Sequence, residues 1–340
     1  MKHKLSKKRL IKRVSIVMIV TVLSYVVISM AGSAIAFRFI FARSDVVNAF
    51  ELTYHDVDRE RYPRREVHFD SGGNRLFGCV YDAKSKPLGL VVVSNGMNAC
   101  IDRHLPEILY FVDSGFSVFT FENTGVGNSE GDGTVGLAQA RLDMAAAVEF
   151  AKSDVELKNL PVVLYGHSLG GYAAAVTQKD EPEVAAAVCV SGFASPNENM
   201  LYNAKKRVGF LADVQYPFMC LQNYFLFGDK ADASAVDAIN ASGKPVMIVG
   251  GNSDEIVPPE ISILSRAESI TNPNAVIVEI SEQYRGEHST AWLSADAAKY
   301  LAETEHPDDK RKANELDDEF MKSVIDFYRT AIILLSNKTL

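Results

Sequence analysis

Apolar and polar positions divide this chain into two regimes. From Val14 to Phe37 there is no charged residue, and apolar side chains run round every face of a helix drawn through the segment. Beyond residue 62, short β-branched apolar runs alternate with stretches of helical period. The runs lie at 66–70, 75–82, 89–95, 117–122, 162–166, 185–190, 246–250 and 275–280. Ser71-Gly72-Gly73-Asn74 joins the first two, which predicts a hairpin. The later runs are continuous rather than alternating, as expected for strands buried on both faces of a parallel sheet. Between them, segments such as 137–151 place apolar residues three and four apart, the helical spacing. The alternation predicts an α/β protein with a mostly parallel, eight-stranded, doubly wound sheet and right-handed crossovers, whose ligands bind beyond the carboxyl ends of the strands.

The rhythm breaks once. About 55 residues separate the run ending at Val190 from the one beginning at Val246, and they are rich in aromatics, among them Tyr202, Phe210, Tyr216, Phe218 and Phe225. A single crossover helix needs far fewer, so 196–229 is expected to form a small cap over the sheet's carboxyl edge. An amphipathic stretch at 313–336 is expected to close the domain as its last helix.

Charge adds a membrane to this picture. Residues 1–13 carry seven Lys/Arg and no acid, and the 24 uncharged residues of 14–37 follow. As a helix these span about 36 Å, enough to cross a hydrocarbon core of about 30 Å. A retained anchor would keep the basic tail in the cytoplasm and put the rest of the chain outside. The small-x-small pattern Ala34-Ile35-Ala36 leaves a second reading open, secretion after cleavage of a signal peptide. The run is longer than a usual signal core, which favours the anchor. The expected organisation is a basic tail (1–13), a transmembrane anchor (14–37), a polar linker (38–62) and an α/β domain (63–340) with the cap at 196–229. From residue 44 onward there are 26 basic and 43 acidic residues, net −17, which excludes nucleic-acid binding through a general field. Cys79, Cys100, Cys189 and Cys220 are widely spaced, with no metal-ligand spacing; Cys79 and Cys189 read as small core residues, and sequence pairs no disulfide.

The chemistry concentrates at residues 161–175, PVVLYGHSLGGYAAA. An apolar β-run meets the turn Gly166-His167-Ser168-Leu169-Gly170-Gly171, and small helix formers follow. This is the strand–turn–helix setting of a G-x-S-x-G nucleophile elbow, in which a serine stands clear on a sharp turn. Gly166 and Gly170 let strand and helix approach on either side, and the Leu169 amide points where an oxyanion would form. Serine needs a base, and the base an acid to orient it. Asp254 lies on the loop beyond the run 246–250, with Glu255 beside it as the rival. His288 lies on the loop after the last run, and of the seven histidines only it follows the acid at the correct edge. The order Ser–Asp–His is therefore met. The second oxyanion donor is expected from the loop after the third run, at the amide of Met97.

These residues resemble the α/β-hydrolase superfamily, and within it the monoacylglycerol-lipase and serine-aminopeptidase-like group, over roughly residues 64 to 304. GHSLGG is similar to that group's nucleophile elbow at Ser168, GGNSDEIVP to its acid loop at Asp254 and GEHST to its histidine loop at His288. FENTGVGNSEG (121–131) resembles its D-x-R-G-x-G-x-S-x-G loop, with Glu122 in place of Asp and Thr124 in place of Arg. Asn95 stands where relatives carry a His. The resemblance implies an α/β-hydrolase fold.

The expected function is a serine hydrolase of carboxylesterase or lipase type that cleaves a small acyl ester or thioester, with no metal or organic cofactor. Three alternatives stay open: an aminopeptidase using Glu122 or Glu287 to hold a substrate ammonium, an acyltransferase, and a non-catalytic binding protein. Sequence sets neither acyl length nor oligomeric state.

Overall fold

The computed structural model describes residues 2–44 and 48–338. It begins with a single long helix, α1 (Lys2–Ile40), which extends beyond the uncharged run at both ends. The strands follow as β1 (Arg64–Ser71), β2 (Asn74–Tyr81), β3 (Leu90–Ser94), β4 (Ser117–Phe121), β5 (Val162–His167), β6 (Val184–Val190), β7 (Val246–Gly251) and β8 (Ala275–Ile280). All eight expected runs are strands, with ends displaced by a residue or two. They form one sheet in the order β1-β2-β4-β3-β5-β6-β7-β8. β1 pairs with β2, and β2 with β4, antiparallel; every later pairing is parallel.

Helices cover both faces. On one lie α2 (Leu105–Asp113), α8 (Ala295–Glu303) and α10 (Asp318–Lys338), with the short α9 (Lys310–Ala313) leading into α10. On the other lie α3 (Gln139–Ser153), α4 (Leu169–Asp180) and α7 (Ala235–Ser242). The strands feed the two layers alternately: Val92 and Leu164 pack toward α3 and α4, while Val91, Val93, Val163 and Tyr165 pack toward α2 and α10. This period of two explains why the central runs are apolar throughout. β8 is the exception. It is an edge strand whose Val276 and Ile277 stay exposed.

Between β6 and β7 the chain makes α5 (Pro196–Val208) and α6 (Leu211–Phe227). Ser195 caps α5 by accepting from the Glu198 amide, and Pro196 follows at the first helical position. Within the stretch expected as a linker, several of residues 48–62 pack onto the domain. Leu52, Tyr54, Val57 and Tyr62 lie against the core, and the Arg64 guanidinium sits 4.0 Å from the centre of the Tyr54 ring. Lys310 and Thr53 donate hydrogen bonds to Asp56, in that order of weight, and hold its carboxyl down to about 2.

Candidate active site

Ser168 sits between β5 and α4 with φ 56° and ψ −115°, a conformation that L-residues avoid. Two close backbone approaches hold it there. A Cβ on Gly166 would lie 2.0 Å from the carbonyl oxygen of Gly170, and one on Gly170 would lie 2.1 Å from that of Ser94. The Ser168 amide donates to Val190 O at 2.8 Å, which fixes the turn to the neighbouring strand β6. Only glycine allows β3, β5 and α4 to converge so tightly.

Three loops at the carboxyl edge then bring the expected residues together. His288 Nδ1 donates to Asp254 Oδ2 at 2.8 Å, which leaves Nε2 free to accept from the Ser168 hydroxyl at 2.9 Å. Asp254 is buried, its other oxygen accepting from the amides of Ile256 (2.9 Å) and Val257 (2.7 Å). Burial works against its ionisation. The hydrogen bond and charge interaction with His288, with the two amides, outweigh that and hold the carboxyl below its usual range. Glu255, the rival acid, points to solvent.

Leu169 opens α4, so its amide is not consumed by the helix. Gly96 brings the loop after β3 against the serine, its Cβ position lying 3.5 Å from Ser168 Cβ. Met97, Leu169 and Ser168 all border a cavity of about 600 Å³, with Leu137, Phe193 and Met200 behind them. Asn95, beneath this loop, is buried and donates to Phe121 O at 3.2 Å. Glu122 ties its own loop to the one after β3, accepting from the amides of Asn128 (2.6 Å) and Ile101 (3.2 Å).

One contributor escaped the sequence reading. His167 is buried behind His288, and its Nε2–H donates to the His288 carbonyl at 2.8 Å. The two rings lie 4.8 Å apart, and Trp292 and His104 pack on His167 from the far side. Burial, then the neighbouring His288, His104 and Arg103, push the His167 pKa well below its ordinary value, so the ring is neutral. Its place as the variable residue of the elbow was the one available signal, and it says nothing of the contact across 121 positions to His288.

Comparison with known proteins agrees with this architecture. A family model described as serine aminopeptidase, S33, matches residues 85–227. The chain is 28% identical over 195 residues to the alpha/beta hydrolase domain-containing protein WAV2 of Arabidopsis thaliana, covering 52% of this chain and 56% of that protein. It is 24% identical over 192 residues to the uncharacterized protein YfhR of Escherichia coli O157:H7, covering 55% of this chain and 61% of YfhR. The match thus spans little more than half the length of these relatives. Among solved structures, the Pyrococcus furiosus esterase Pf2001 superposes with a TM-score of 0.59 at 18% identity, covering 85% of this chain and 98% of the esterase. Est1E of Butyrivibrio proteoclasticus, solved with ferulic acid, superposes at 0.51 and 16% identity, over 76% of this chain and 99% of Est1E. Sheet order and these superpositions give the chain the α/β-hydrolase fold, and residues 85–227 are similar to the serine aminopeptidase, S33, family.

Proposed function

We propose that the chain is a membrane-anchored serine hydrolase that cleaves a carboxylic ester or thioester through an acyl-enzyme on Ser168. The observation that carries this reading is the continuous hydrogen-bonded chain Asp254–His288–Ser168, ending at a strained serine on the border of an apolar cavity. His288 takes the Ser168 proton as Oγ attacks the carbonyl, and Asp254 stabilises the imidazolium that forms. The Leu169 and Met97 amides receive the oxyanion. His288 then returns its proton to the leaving alcohol or thiol, activates a water, and the acyl-enzyme is hydrolysed.

The aminopeptidase alternative has a family name in its favour but lacks its acid. Glu122 is committed to backbone amides of its own loop and of the loop after β3, Glu287 is exposed, and neither borders the cavity. Among the described lining residues the one charge is the cation Arg207, which would repel a substrate ammonium.

For the membrane, α1 has 34 residues from Lys7 long and apolar enough to span, and the basic tail puts the N-terminus in the cytoplasm with the catalytic domain outside. Retention is favoured over cleavage near Ala36 because Ser33, Phe37 and Phe41, on either side of that point, are buried against the domain.

The test is fluorophosphonate labelling of the full-length protein beside Ser168→Ala and His288→Ala, followed by p-nitrophenyl ester hydrolysis. Labelling and turnover in the wild type alone are expected. A folded wild type inert to both would return the chain to the non-catalytic class, and product formed only with added alcohol would make it an acyltransferase.

A further inference from the structure

The cavity beside Ser168 is not built by the catalytic domain alone. One face of α1, at Ile28, Gly32, Ala36 and Ile40 and the positions following each, forms its opposite side, across from Met200, Ala212 and Met219 of α5 and α6. A spacing of four keeps these positions in one row on the helix.

This face is held in place by specific contacts. Gln215 of α6 donates through Nε2 to Ser29 O (2.6 Å) and Ser33 Oγ (2.7 Å). Phe37 and Phe41 are each 5% exposed and belong to the same core as Leu164 and Tyr172. Past the helix end, Arg43 donates to the carbonyls of Ser129 (2.9 Å), Gly131 (3.1 Å) and Gly127, and the Arg43 amide to Asp132 O. A Cβ on Gly133 would collide with Phe41 O at 2.0 Å. The final turns of α1 are thus a component of the domain.

The face of the same helix turned away from the domain fits the bilayer: Val17 and Val27 are 64% and 66% exposed. Counted from Arg13, a hydrocarbon core of about 30 Å ends near Ser33, level with the cavity. α6 reaches that depth too, since Phe218 meets Tyr25 of α1 edge-on at 5.5 Å. Phe210 and Phe225, at the two ends of α6, are 75% and 68% exposed. In water such side chains are a liability; against hydrocarbon they are satisfied.

We propose that α1 is at once the membrane span and the wall of the acyl-binding site. The substrate is an acyl ester resident in the bilayer, whose chain passes between α1 and α6 to reach Ser168 without crossing water. Gly32 sets the room available to that chain: beyond its own stretch of helix, no atom lies within 4 Å of where its Cβ would stand, on a helix face that borders the cavity. A large side chain there fills the acyl channel while leaving Ser168, His288 and Asp254 untouched. The inference rests on the ester-hydrolase reading for its chemistry, and on the cavity for its geometry.

The experiment uses full-length protein in detergent micelles. Gly32→Phe is compared with wild type and with Val27→Phe, on the exposed side of α1. The first reading is the ratio of kcat/KM for p-nitrophenyl decanoate to that for the acetate. The second is equilibrium binding of a dansyl-labelled undecanoate in a Ser168→Ala background. Gly32→Phe is expected to lower both the ratio and the binding by roughly tenfold or more, the scale of a few methylenes lost from an apolar pocket. Val27→Phe should match wild type in both. Unchanged ratio and binding in a Gly32→Phe protein that melts cooperatively would overturn the proposal. Gly32→Leu, read in the same way, serves if the larger variant does not fold. Should the wild type bind the fatty acid but hydrolyse no ester, with binding lost in Gly32→Phe, the wall stands and the hydrolase reading falls.

Discussion

At the scale of single residues, the site depends on what side chains are denied as much as on what they supply. Ser168 adopts its unfavourable backbone because Gly166 and Gly170 let three backbones crowd around it. Gly170→Ala must displace the Ser94 carbonyl, which is main chain of a central strand and cannot swing aside. The cost exceeds the ~1–3 kcal/mol of ordinary overpacking, and the expected result is loss of folded protein, read by yield and thermal melting. Asp254→Asn tests the opposite kind of dependence. The amide matches the carboxylate in shape, but its NH₂ repels His288 Nδ1–H and drives the ring to the tautomer whose Nε2–H faces Ser168. A fall in kcat of about 10⁴ is expected, with little change in KM, by analogy with other Ser-His-Asp sites. Stability gives an independent check. The Asp254 carboxyl is held below its ordinary 3.8, so its contribution to folding is present above that pH and is lost as the medium is acidified through the lower folded value. The stability gap between wild type and Asp254→Asn should therefore be constant near neutrality and close as pH falls below about 3.8, in urea titrations.

Among the elements, α1 departs furthest from its sequence signature. The eight strands were legible because runs such as Leu90–Ser94 and Val162–His167 are apolar on both faces, and two covered faces are what a central parallel strand requires. That Ser168, Asp254 and His288 would meet was legible because all three lie just beyond strand ends on one edge of the sheet. α1 was read as a bilayer anchor or a cleaved signal peptide, never as part of the domain. Ser29, Gly32, Ser33 and Ala36 are uncharged and small, and nothing local separates a helix face that meets lipid from one that meets Gln215 or borders a cavity. Arg43 looked like a linker charge for the same reason: its three acceptors are main-chain carbonyls more than eighty residues away. Arg43→Ala is expected to loosen the end of α1 and cost about 1–2 kcal/mol, since charge-assisted bonds to carbonyls are lost without a substitute. A lowered melting temperature and faster proteolysis between 38 and 62 are the measurements. Equal melting and digestion of the two proteins would show that the helix end is held by Phe37 and Phe41 alone.

For the whole molecule, charge bears on the proposed orientation and burial on the pH range. On the membrane reading proposed above, the basic tail and the exposed apolar length of α1 set the two ends of the chain on opposite sides of a bilayer, with the Ser168 cavity near the boundary. Within the domain the sheet is covered on both faces, so a charge arising deep in the core destabilises the whole fold. His167 is such a place. It is buried between His288, His104 and Trp292, and burial is the main reason it resists protonation. In the unfolded chain the same imidazole takes up a proton below about pH 6.5, while in the fold it stays neutral. Its folded pKa is depressed, so the stability it allows is present above 6.5 and drains away as pH falls. The rate is about 1.4 kcal/mol per pH unit once the unfolded form is protonated. Gln at this position can still donate an N–H to the His288 carbonyl, but it does not titrate. Urea unfolding of full-length protein in micelles should therefore show wild type losing stability between pH 6.5 and 5 more steeply than His167→Gln, by about one proton's worth of slope. Parallel slopes would mean that the core admits a charged imidazole at that position. The neutral layer behind His288 would then have to be maintained by something other than burial.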